Sequence, residues 1–207
     1  MKNIYIIEGI DGCGKDFVQD HILSLIPGSV KALREPNGPF RDILKDKELR
    51  DSGVLGPLEE YMTMWIGRFL VWDNEIMKDS KDTYIINRSF PSTFAYQIEG
   101  RGFFQYEENF RFWKKQLLKI FGPDKYKIIH LYLRVDLEIG LERIGKRADS
   151  DGLEHFEEVK LLERTRMGYN KYFSDKSNFD SHEKVFVINA NVSKKEVIFQ
   201  VNKAIGL

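Results

Sequence analysis

The residues at positions 9–15 read Gly-Ile-Asp-Gly-Cys-Gly-Lys and follow directly after the apolar run at positions 4–7. They match the pattern G-x-x-x-x-G-K, in which glycines let backbone N–H groups turn around a polyphosphate and the lysine ammonium reaches its outer oxygens. Residues 16–26 carry apolar side chains at helical spacing, so the N-terminus of a helix would point at those phosphates. Because strand, loop and helix follow in this order, we interpret the motif as a phosphate-binding loop (P-loop).

The bulk composition limits the class of protein. A chain of 207 residues, 42% of them hydrophobic, can bury one sizeable core, which predicts a single α/β domain over residues 1–207. Lys plus Arg and Asp plus Glu each number 32, so the formal net charge is zero. A general nucleic-acid or membrane-surface binder would need a basic excess, so we expect neither as a partner.

The termini and the cysteine content bear on the compartment. Cys13 is the single cysteine and cannot form an internal disulfide, and the N-terminus leads straight into a predicted strand with no signal peptide. No apolar run approaches the roughly 20 residues of a membrane span. We therefore expect a cytoplasmic protein in a reducing environment.

Predicted strands and helices alternate along the chain. After the first pair, strands are predicted over residues 29–33, 84–87, 128–135 and 185–189, and helices over residues 40–49, 58–78, 106–121, 137–146, 154–173 and 193–205. This order implies an α/β fold of three layers, a parallel sheet between helices, with ligands at the carboxyl ends of the strands. Ser193 and Glu196 have capping-box spacing at the start of the last helix. The polar stretch at residues 147–152 predicts a short loop that forms a mobile lid, with bounds of about residues 146–153.

Further motifs follow the predicted strands. Arg34-Glu35-Pro36-Asn37-Gly38 comes after the second strand, Asn87-Arg88-Ser89 ends the third, Ser92-Thr93-Phe94-Ala95-Tyr96-Gln97 and Gly100-Arg101-Gly102 come behind it, and Arg143, Lys146 and Arg147 precede Asp151 and Glu154. Taken with Glu8-Gly9-Ile10-Asp11-Gly12, these segments resemble the thymidylate kinase family, P-loop enzymes that transfer the γ-phosphoryl group of ATP to dTMP. The resemblance covers essentially the whole chain, and it implies the P-loop kinase fold.

The resemblance also implies an ATP site, an acceptor site and a need for Mg²⁺. It places ATP at Gly9, Asp11, Gly12, Cys13, Gly14, Lys15, Asp16 and Phe17, and dTMP at Asp11, Arg34, Pro36, Met64, Trp65, Arg68, Arg88, Thr93, Tyr96 and Gln97. Phosphoryl transfer depends mostly on positioning and charge neutralisation, so cations should surround the transferred group. The resemblance implies that Lys15, Arg88, Arg143 and Arg147 are those catalytic cations.

Individual roles in the acceptor site follow from the resemblance too. Arg34 and Arg88 would grip the acceptor phosphate, and Asp11 would contact the 3′-hydroxyl of the sugar. Met64 stands where the family has an aromatic residue that stacks on thymine, with Trp65 beside it, although most of the apolar residues in this stripe are more typical of a core. Arg68 would bond a base carbonyl and Gln97 the imide edge of a pyrimidine, while Thr93 and Tyr96 would lie near the base and the 2′ carbon.

Cys13 stands where some family members have a catalytic arginine in the P-loop. The missing cation would then come from Arg143, Lys146 or Arg147, with Arg147 favoured at the junction of helix and lid. Alternatively, these three residues only complement the dipole at the C-terminus of their helix. The Cys13 thiol would lie at a helix N-terminus beside Lys15, so we expect a reactive thiolate unless the side chain is buried.

Two residues depart from the family pattern around the metal. Asp16 replaces the usual Ser or Thr after the P-loop lysine, and Asn87 replaces the usual carboxylate at the end of the third strand. Because these side chains lie close in P-loop folds, we interpret the pair as a reciprocal exchange that keeps one carboxylate and one neutral oxygen for Mg²⁺. The opposite interpretation is a catalytically silent nucleotide-binding module.

The function therefore has one leading hypothesis and two alternatives. The leading one is a thymidylate kinase that uses ATP and Mg²⁺ to make dTDP. The alternatives are a kinase for another deoxynucleotide or for a free deoxynucleoside, and the silent P-loop module. The apolar helix predicted over residues 58–78 could supply the face of a homodimer, as helices of this family do.

Overall fold

The fold is seen in a computed structural model that describes residues 1–26, 30–151 and 159–206, with the backbone alone for residues 146–151. Its centre is a parallel sheet of five strands in the order β2-β3-β1-β4-β5. The strands are β1 (Lys2–Glu8), β2 (Val30–Arg34), β3 (Thr83–Asn87), β4 (Tyr126–Arg134) and β5 (Glu183–Asn189). From β1 the chain crosses first to β2 and later, from β3, to β4 on the other side, which opens a crevice beyond the carboxyl ends of β1 and β3.

Helices connect the strands. They are α1 (Lys15–Leu25), α2 (Gly38–Lys45), α3 (Lys47–Asp51), α4 (Pro57–Leu70), α5 (Phe90–Thr93), α6 (Glu107–Phe121), α7 (Leu137–Asp151), α8 (Val159–Ser174) and α9 (Lys194–Ile205). Turns of π-helix continue α4 over Val71–Met77 and α5 over Phe94–Gly100, and 3₁₀ turns span Phe104–Tyr106, Pro123–Lys125 and Lys176–Asn178. None of the helices within the described ranges is long and apolar enough to cross a membrane.

The sheet is buried on both faces. In β1, Tyr5 and Ile7 enter a core shared with α1, α8 and α9, whereas Ile4 and Ile6 enter a second core shared with α4 and α6. Successive side chains of a strand point to opposite faces, so this alternation shows that helices cover both sides. The predicted α/β fold of three layers is confirmed.

Two predicted helices are interrupted in the structure. The helix predicted over residues 40–49 is two helices, α2 and α3, because the Asp46 carboxylate accepts a hydrogen bond from the Leu49 amide (3.1 Å) and caps a new start. The helix predicted over residues 58–78 is α-helical only to Leu70 and then becomes π-helical. The helical segment that begins with α5 was not predicted.

The loop predicted for the lid is wrong for residues 147–151, because α7 continues to Asp151. The other end of the lid and the start of the helix predicted over residues 154–173 lie outside the described residues. The lid itself stays a prediction. The predicted capping box at Ser193 and Glu196 is present at the start of α9.

Candidate active site

The P-loop joins β1 to α1. Gly9, Gly12 and Gly14 have positive φ angles of 145°, 82° and 97°, a region that glycine adopts without strain. A Cβ atom at position 12 would overlap the backbone carbonyl of Gly140 in α7, so the loop and this helix touch backbone to backbone. Gly14 precedes α1, and its own Cβ position faces open space.

Lys15 is folded into this loop. Its ammonium donates to the carbonyls of Gly9 and Ile10, each at 2.9 Å, and lies 3.7 Å from the Asp11 carboxylate. The side chain is only 7% exposed. The ammonium is therefore held at the mouth of the loop, where the oxygens of a phosphate could replace the two carbonyls as its partners.

Cys13 does not supply a reactive thiol to this site. The residue is buried in the core beneath the loop, and its amide donates to the Ile10 carbonyl. Burial raises the pKa of the Cys13 thiol, and the neighbouring Lys15 ammonium only partly opposes that rise. The condition attached to the expectation, an accessible side chain, is therefore not met, and no reactive thiolate is expected. The ATP contact of Cys13 stays a prediction.

Arg88 and Asp11 form the centre of the crevice. The Arg88 guanidinium forms a salt bridge with the Asp11 carboxylate and lies 4.7 Å from the centre of the Tyr96 ring, whose hydroxyl donates to the same carboxylate at 3.0 Å. Burial alone would raise the pKa of Asp11, but the charges of Arg88 and Lys15 outweigh it and hold that pKa well below its usual range. The Asp11 carboxylate therefore fixes the guanidinium of Arg88, the residue that follows β3.

Arg88 has a left-handed backbone, with φ at 68°, which is costly for a residue other than glycine. Its amide donates to the Ile7 carbonyl, and the next amide, Ser89, donates to the buried Glu8 carboxylate at 2.6 Å. Burial raises the pKa of Glu8, and hydrogen bonds from Ser92 and Ser89 oppose that rise. The sequence analysis missed Glu8 as a site residue, although the acid before the first glycine of the motif was its signal.

A cleft lies beyond the ends of β1, β2 and β3. It is lined by Asp11, Arg34, Glu35, Pro36, Arg41, Leu44, Lys45, Met64, Arg88, Ser92, Tyr96 and Gln97. Seven of the predicted acceptor residues, Asp11, Arg34, Pro36, Met64, Arg88, Tyr96 and Gln97, are therefore brought together. Three others, Trp65, Arg68 and Thr93, are not among its lining residues.

Unpaired positive charge is concentrated at one end of the cleft. Arg34 ends β2 and Arg41 lies in α2, and neither forms a salt bridge or a side-chain hydrogen bond with the described residues. Burial, followed by the charges of Arg88 and Arg41, lowers the pKa of Arg34. Arg41 was not predicted from the sequence as a site residue. The one sequence feature that could have indicated it is that Arg41 and Lys45 are two basic residues one helical turn apart. This cluster suits a dianion such as a phosphate monoester.

The apolar wall of the cleft comes from α2 and α4. Met64 packs against Leu44 and Leu55. Trp65 faces the other way, into the core, where it is 1% exposed and lies near the Tyr61 and Phe110 rings. The prediction that Trp65 binds the acceptor is therefore wrong, because successive helical positions point about 100° apart and only Met64 faces the cleft.

Arg68 and Thr93 lie behind the wall of the cleft. Arg68 donates from Nε to a Glu35 oxygen at 2.6 Å and from Nη2 to the Thr93 hydroxyl at 3.0 Å. Both residues are buried, and Nη1 of Arg68 has no hydrogen-bond partner among the described residues. The Thr93 hydroxyl therefore already has Arg68 as its hydrogen-bond partner. Thr93 and Tyr96 were both expected near the base and the 2′ carbon, and of these two only Tyr96 lines the cleft.

The Gln97 side chain is held on the side away from the cleft by Glu60, which in turn pairs with Arg101. Its Nε2 donates to the Glu60 carboxylate at 3.1 Å, and the other Glu60 oxygen forms a salt bridge with Arg101. Gln97 is 4% exposed, and its Oε1 has no hydrogen-bond partner among the described residues. Glu60 was not singled out from the sequence, in which it is one of two adjacent glutamates at a helix start.

Comparison with known proteins identifies the family. A family model described as thymidylate kinase matches residues 7–201. The chain belongs to the thymidylate kinase family. It is 29% identical over 205 residues to a thymidylate kinase of Shewanella sp. (strain MR-4), covering 93% of this chain and 90% of the relative. It is 26% identical over 174 residues to a probable thymidylate kinase of Thermoplasma volcanium, covering 80% and 83%.

The two departures from the thymidylate kinase pattern meet in space. Asn87 ends β3 and donates from Nδ2 to the Asp16 carboxylate at 2.7 Å, so the expected proximity is confirmed. Asn87 is buried and its Oδ1 has no hydrogen-bond partner in the part of the chain that the structure describes, whereas Asp16 is exposed. A carboxylate beside an orphaned amide oxygen is a donor set that suits Mg²⁺. The exchange of metal roles stays a prediction.

The remaining residues predicted from the thymidylate kinase resemblance lie around the P-loop. Arg143 donates to the Gly12 carbonyl at 3.4 Å and to the Ala190 carbonyl at 3.0 Å, so it ties the loop to the end of β5. The Arg147 side chain lies outside the described residues. Phe17 packs partly against the core, with the Lys194 ammonium 5.2 Å from its ring. The catalytic roles of the two arginines and the ATP contact of Phe17 stay predictions.

Proposed function

We propose that the protein is a thymidylate kinase that transfers the γ-phosphoryl group of ATP to dTMP and produces dTDP, in the cytoplasm. One observation carries most of this proposal. The P-loop and a cleft with two unpaired arginines, Arg34 and Arg41, meet at the Asp11 and Arg88 pair. A donor phosphate in the loop and an acceptor phosphate in the cleft would therefore face each other across Arg88.

Each side of this junction has its own task. On the donor side, Lys15 and the amides of the glycine-rich loop would bind the ATP phosphates. On the acceptor side, Arg34, Arg41 and Arg88 would hold the dTMP phosphate, because arginine binds phosphate with two parallel hydrogen bonds. Asp11 would fix Arg88 and accept a hydrogen bond from the 3′-hydroxyl.

Asp16 and Asn87 would hold Mg²⁺, Asp16 through its carboxylate and Asn87 through its amide Oδ1. The ion, when bound, neutralises charge on the β and γ phosphates. Since Arg143 is engaged with the P-loop backbone, Arg147 is the better candidate for the additional cation. At the base, Met64 would replace the stacking aromatic of the family with a sulfur contact.

A coupled assay of nucleotide production tests this proposal. With ATP and Mg²⁺, we expect the highest kcat/KM for dTMP, with TMP lower because Tyr96 crowds a 2′-hydroxyl. Deoxynucleoside monophosphates with purine bases should be poor acceptors. Preference for a free deoxynucleoside or another deoxynucleotide would favour the alternative kinases, and no turnover of any acceptor would favour the silent P-loop module.

Arg41 should contribute to acceptor binding. We expect Arg41→Ala to raise KM for dTMP by about tenfold, with a smaller effect on kcat. The variant loses a charge-assisted hydrogen bond to a phosphate oxygen that does not attack ATP, and this bond stabilises the ground state and the transition state equally. Steady-state kinetics with varied dTMP measures the change. Lys47→Ala, at an exposed position on the neighbouring α3, is the matched control. An unchanged KM for Arg41→Ala would remove this residue from the acceptor site.

We further propose that α4 forms a homodimer interface. Leu58, Ile66 and Leu70 are spaced on one stripe of this helix and are 48%, 49% and 43% exposed. Ile66→Arg should convert a dimer into a monomer, since a charge in an apolar interface is costly. Sedimentation equilibrium measures the mass, with Phe199→Arg, on exposed α9, as the control. A wild type that sediments as a monomer would contradict the proposal.

A further inference from the structure

The cleft contains one side-chain amide whose orientation is dictated by its surroundings. Gln97 lines the cleft, and its Nε2 donates to Glu60 at 3.1 Å. A carboxylate can only accept hydrogen bonds, so it selects the amide orientation that turns Nε2 towards it. The salt bridge with Arg101 holds the Glu60 carboxylate in place. Gln97 can therefore offer only an acceptor, Oε1, to a ligand.

The Oε1 atom of Gln97 lacks a hydrogen-bond donor. Oε1 of Gln97 is buried and has no hydrogen-bond partner among the described residues. A buried acceptor without a partner is costly, and a ligand that supplies an N–H group would remove that cost. The amide thus selects a ligand atom that carries a hydrogen.

A second unpaired atom lies on the other side of Met64. Glu60, Met64 and Arg68 are spaced four residues apart on α4 and share one face. Glu60 contacts Gln97 and Arg68 contacts Thr93, so the two segments run antiparallel with Met64 between these contacts. The unpaired Nη1 of Arg68 is a donor, but this side chain lies behind the wall of the cleft, so Oε1 of Gln97 is the one of the two that a ligand in the cleft would meet.

We propose that Glu60, held by Arg101, is a positioning residue that fixes the Gln97 amide and so makes the cleft select pyrimidines with a hydrogen on N3. This inference rests on the proposed function. Thymine and uracil present an N3–H donor, which complements the Oε1 acceptor of Gln97. Cytosine presents an acceptor at N3 and is therefore mismatched with Oε1 of Gln97.

The substitution Glu60→Gln tests this inference with dUMP and dCMP, acceptors that differ only at positions 3 and 4 of the base. Glutamine can donate as well as accept, so the Gln97 amide becomes free to turn over. The ratio of kcat/KM for dUMP to that for dCMP should fall by about tenfold or more. A merely structural role of Glu60 would reduce both rates together and leave the ratio unchanged, which would overturn the inference.

Glu59→Gln is the matched control, because it removes the same charge from the adjacent, exposed position of α4. Its ratio should equal that of the wild type, and an equal fall in both variants would also overturn the inference. If Glu60→Gln does not fold, Glu60→Asp serves instead. It withdraws the carboxylate from Nε2 by one methylene group, and a wild-type ratio would again count against the proposed role.

The two proposals can fail separately. Wild-type turnover of dTMP with an unchanged ratio in the variants would remove only the role of Glu60. A wild type that does not phosphorylate dTMP would remove the proposed function. Calorimetric titration of wild type and Glu60→Gln with dUMP and with dCMP would then test base selection by affinity alone, with the same expected change in the ratio.

Discussion

Replacement of Lys15 by alanine is expected to lower kcat for dTMP phosphorylation by at least about a hundredfold, because the ammonium is the P-loop charge that neutralises the ATP phosphates. Coupled-assay kinetics with saturating ATP and dTMP measures the loss. Because Lys15 also donates to the Gly9 and Ile10 carbonyls, the variant should lose about 1 to 3 kcal/mol of unfolding free energy. A folded but inactive protein is therefore the expected result.

Lys195→Ala provides the comparison for Lys15→Ala, since Lys195 is exposed on α9 and outside the site. Its kcat and its midpoint of thermal unfolding should match the wild type. Thermal unfolding of Lys15→Ala separates lost catalysis from lost structure. Near wild-type kcat in a folded Lys15→Ala protein would refute the assignment of the P-loop.

Asp16 and Asn87 should behave as a coupled pair in a double-mutant cycle. Asp16→Thr leaves the pair with no carboxylate, and Asn87→Asp sets two carboxylates against each other across a contact that is now 2.7 Å long. Each single variant should lose at least about tenfold in kcat or require more Mg²⁺ for half-maximal rate. The double variant should recover, because it restores the usual pair of the family.

Magnesium titrations of all four proteins give the coupling free energy directly. Recovery in the double variant would support an exchange of metal roles between the two positions. Strict additivity of the two losses would show that the positions act independently. Equal activity of the wild type with Mg²⁺ and with a chelator would contradict a metal site at this pair.

The order of the elements could be predicted because the central strands β1, β3 and β4 are mostly buried on both faces and therefore read as nearly continuous apolar runs. The breaks in the helices could not. Asp46 fits a helix interior as well as a cap in the sequence, and its role as a cap depends on where the Leu49 amide lies. The π-helical turns over Val71–Met77 depend on tertiary packing, which leaves no local pattern.

The site could be predicted where a motif fixes a residue to the end of a strand. Asp11, Arg34 and Arg88 are such residues, and all three line the cleft. Residues on helices were harder, because their direction depends on helix rotation. Trp65 and Met64 are adjacent in sequence, yet one belongs to the core and the other to the cleft.

Two residues near the cleft, Glu60 and Arg41, belong to no sequence motif and so could not be predicted. Glu60 looks like any acid in the first turn of a helix, and only its contact with Gln97 distinguishes it from Glu59. Arg41 looks like a solvated charge on an amphipathic helix. Its place beside Arg34 depends on how α2 folds back over the end of β2, which the sequence does not specify.

The backbone contact between Gly12 and Gly140 has a mechanical consequence. With no side chains between them, the backbones of the P-loop and α7 are in direct contact, and even one methyl group at position 12 would force them apart. Arg143 in α7 forms a second contact with the P-loop, because its guanidinium donates to the Gly12 carbonyl. If an arriving polyphosphate displaces the loop, α7 would therefore move with it, and the C-terminal end of α7, up to Asp151, lies within the predicted lid.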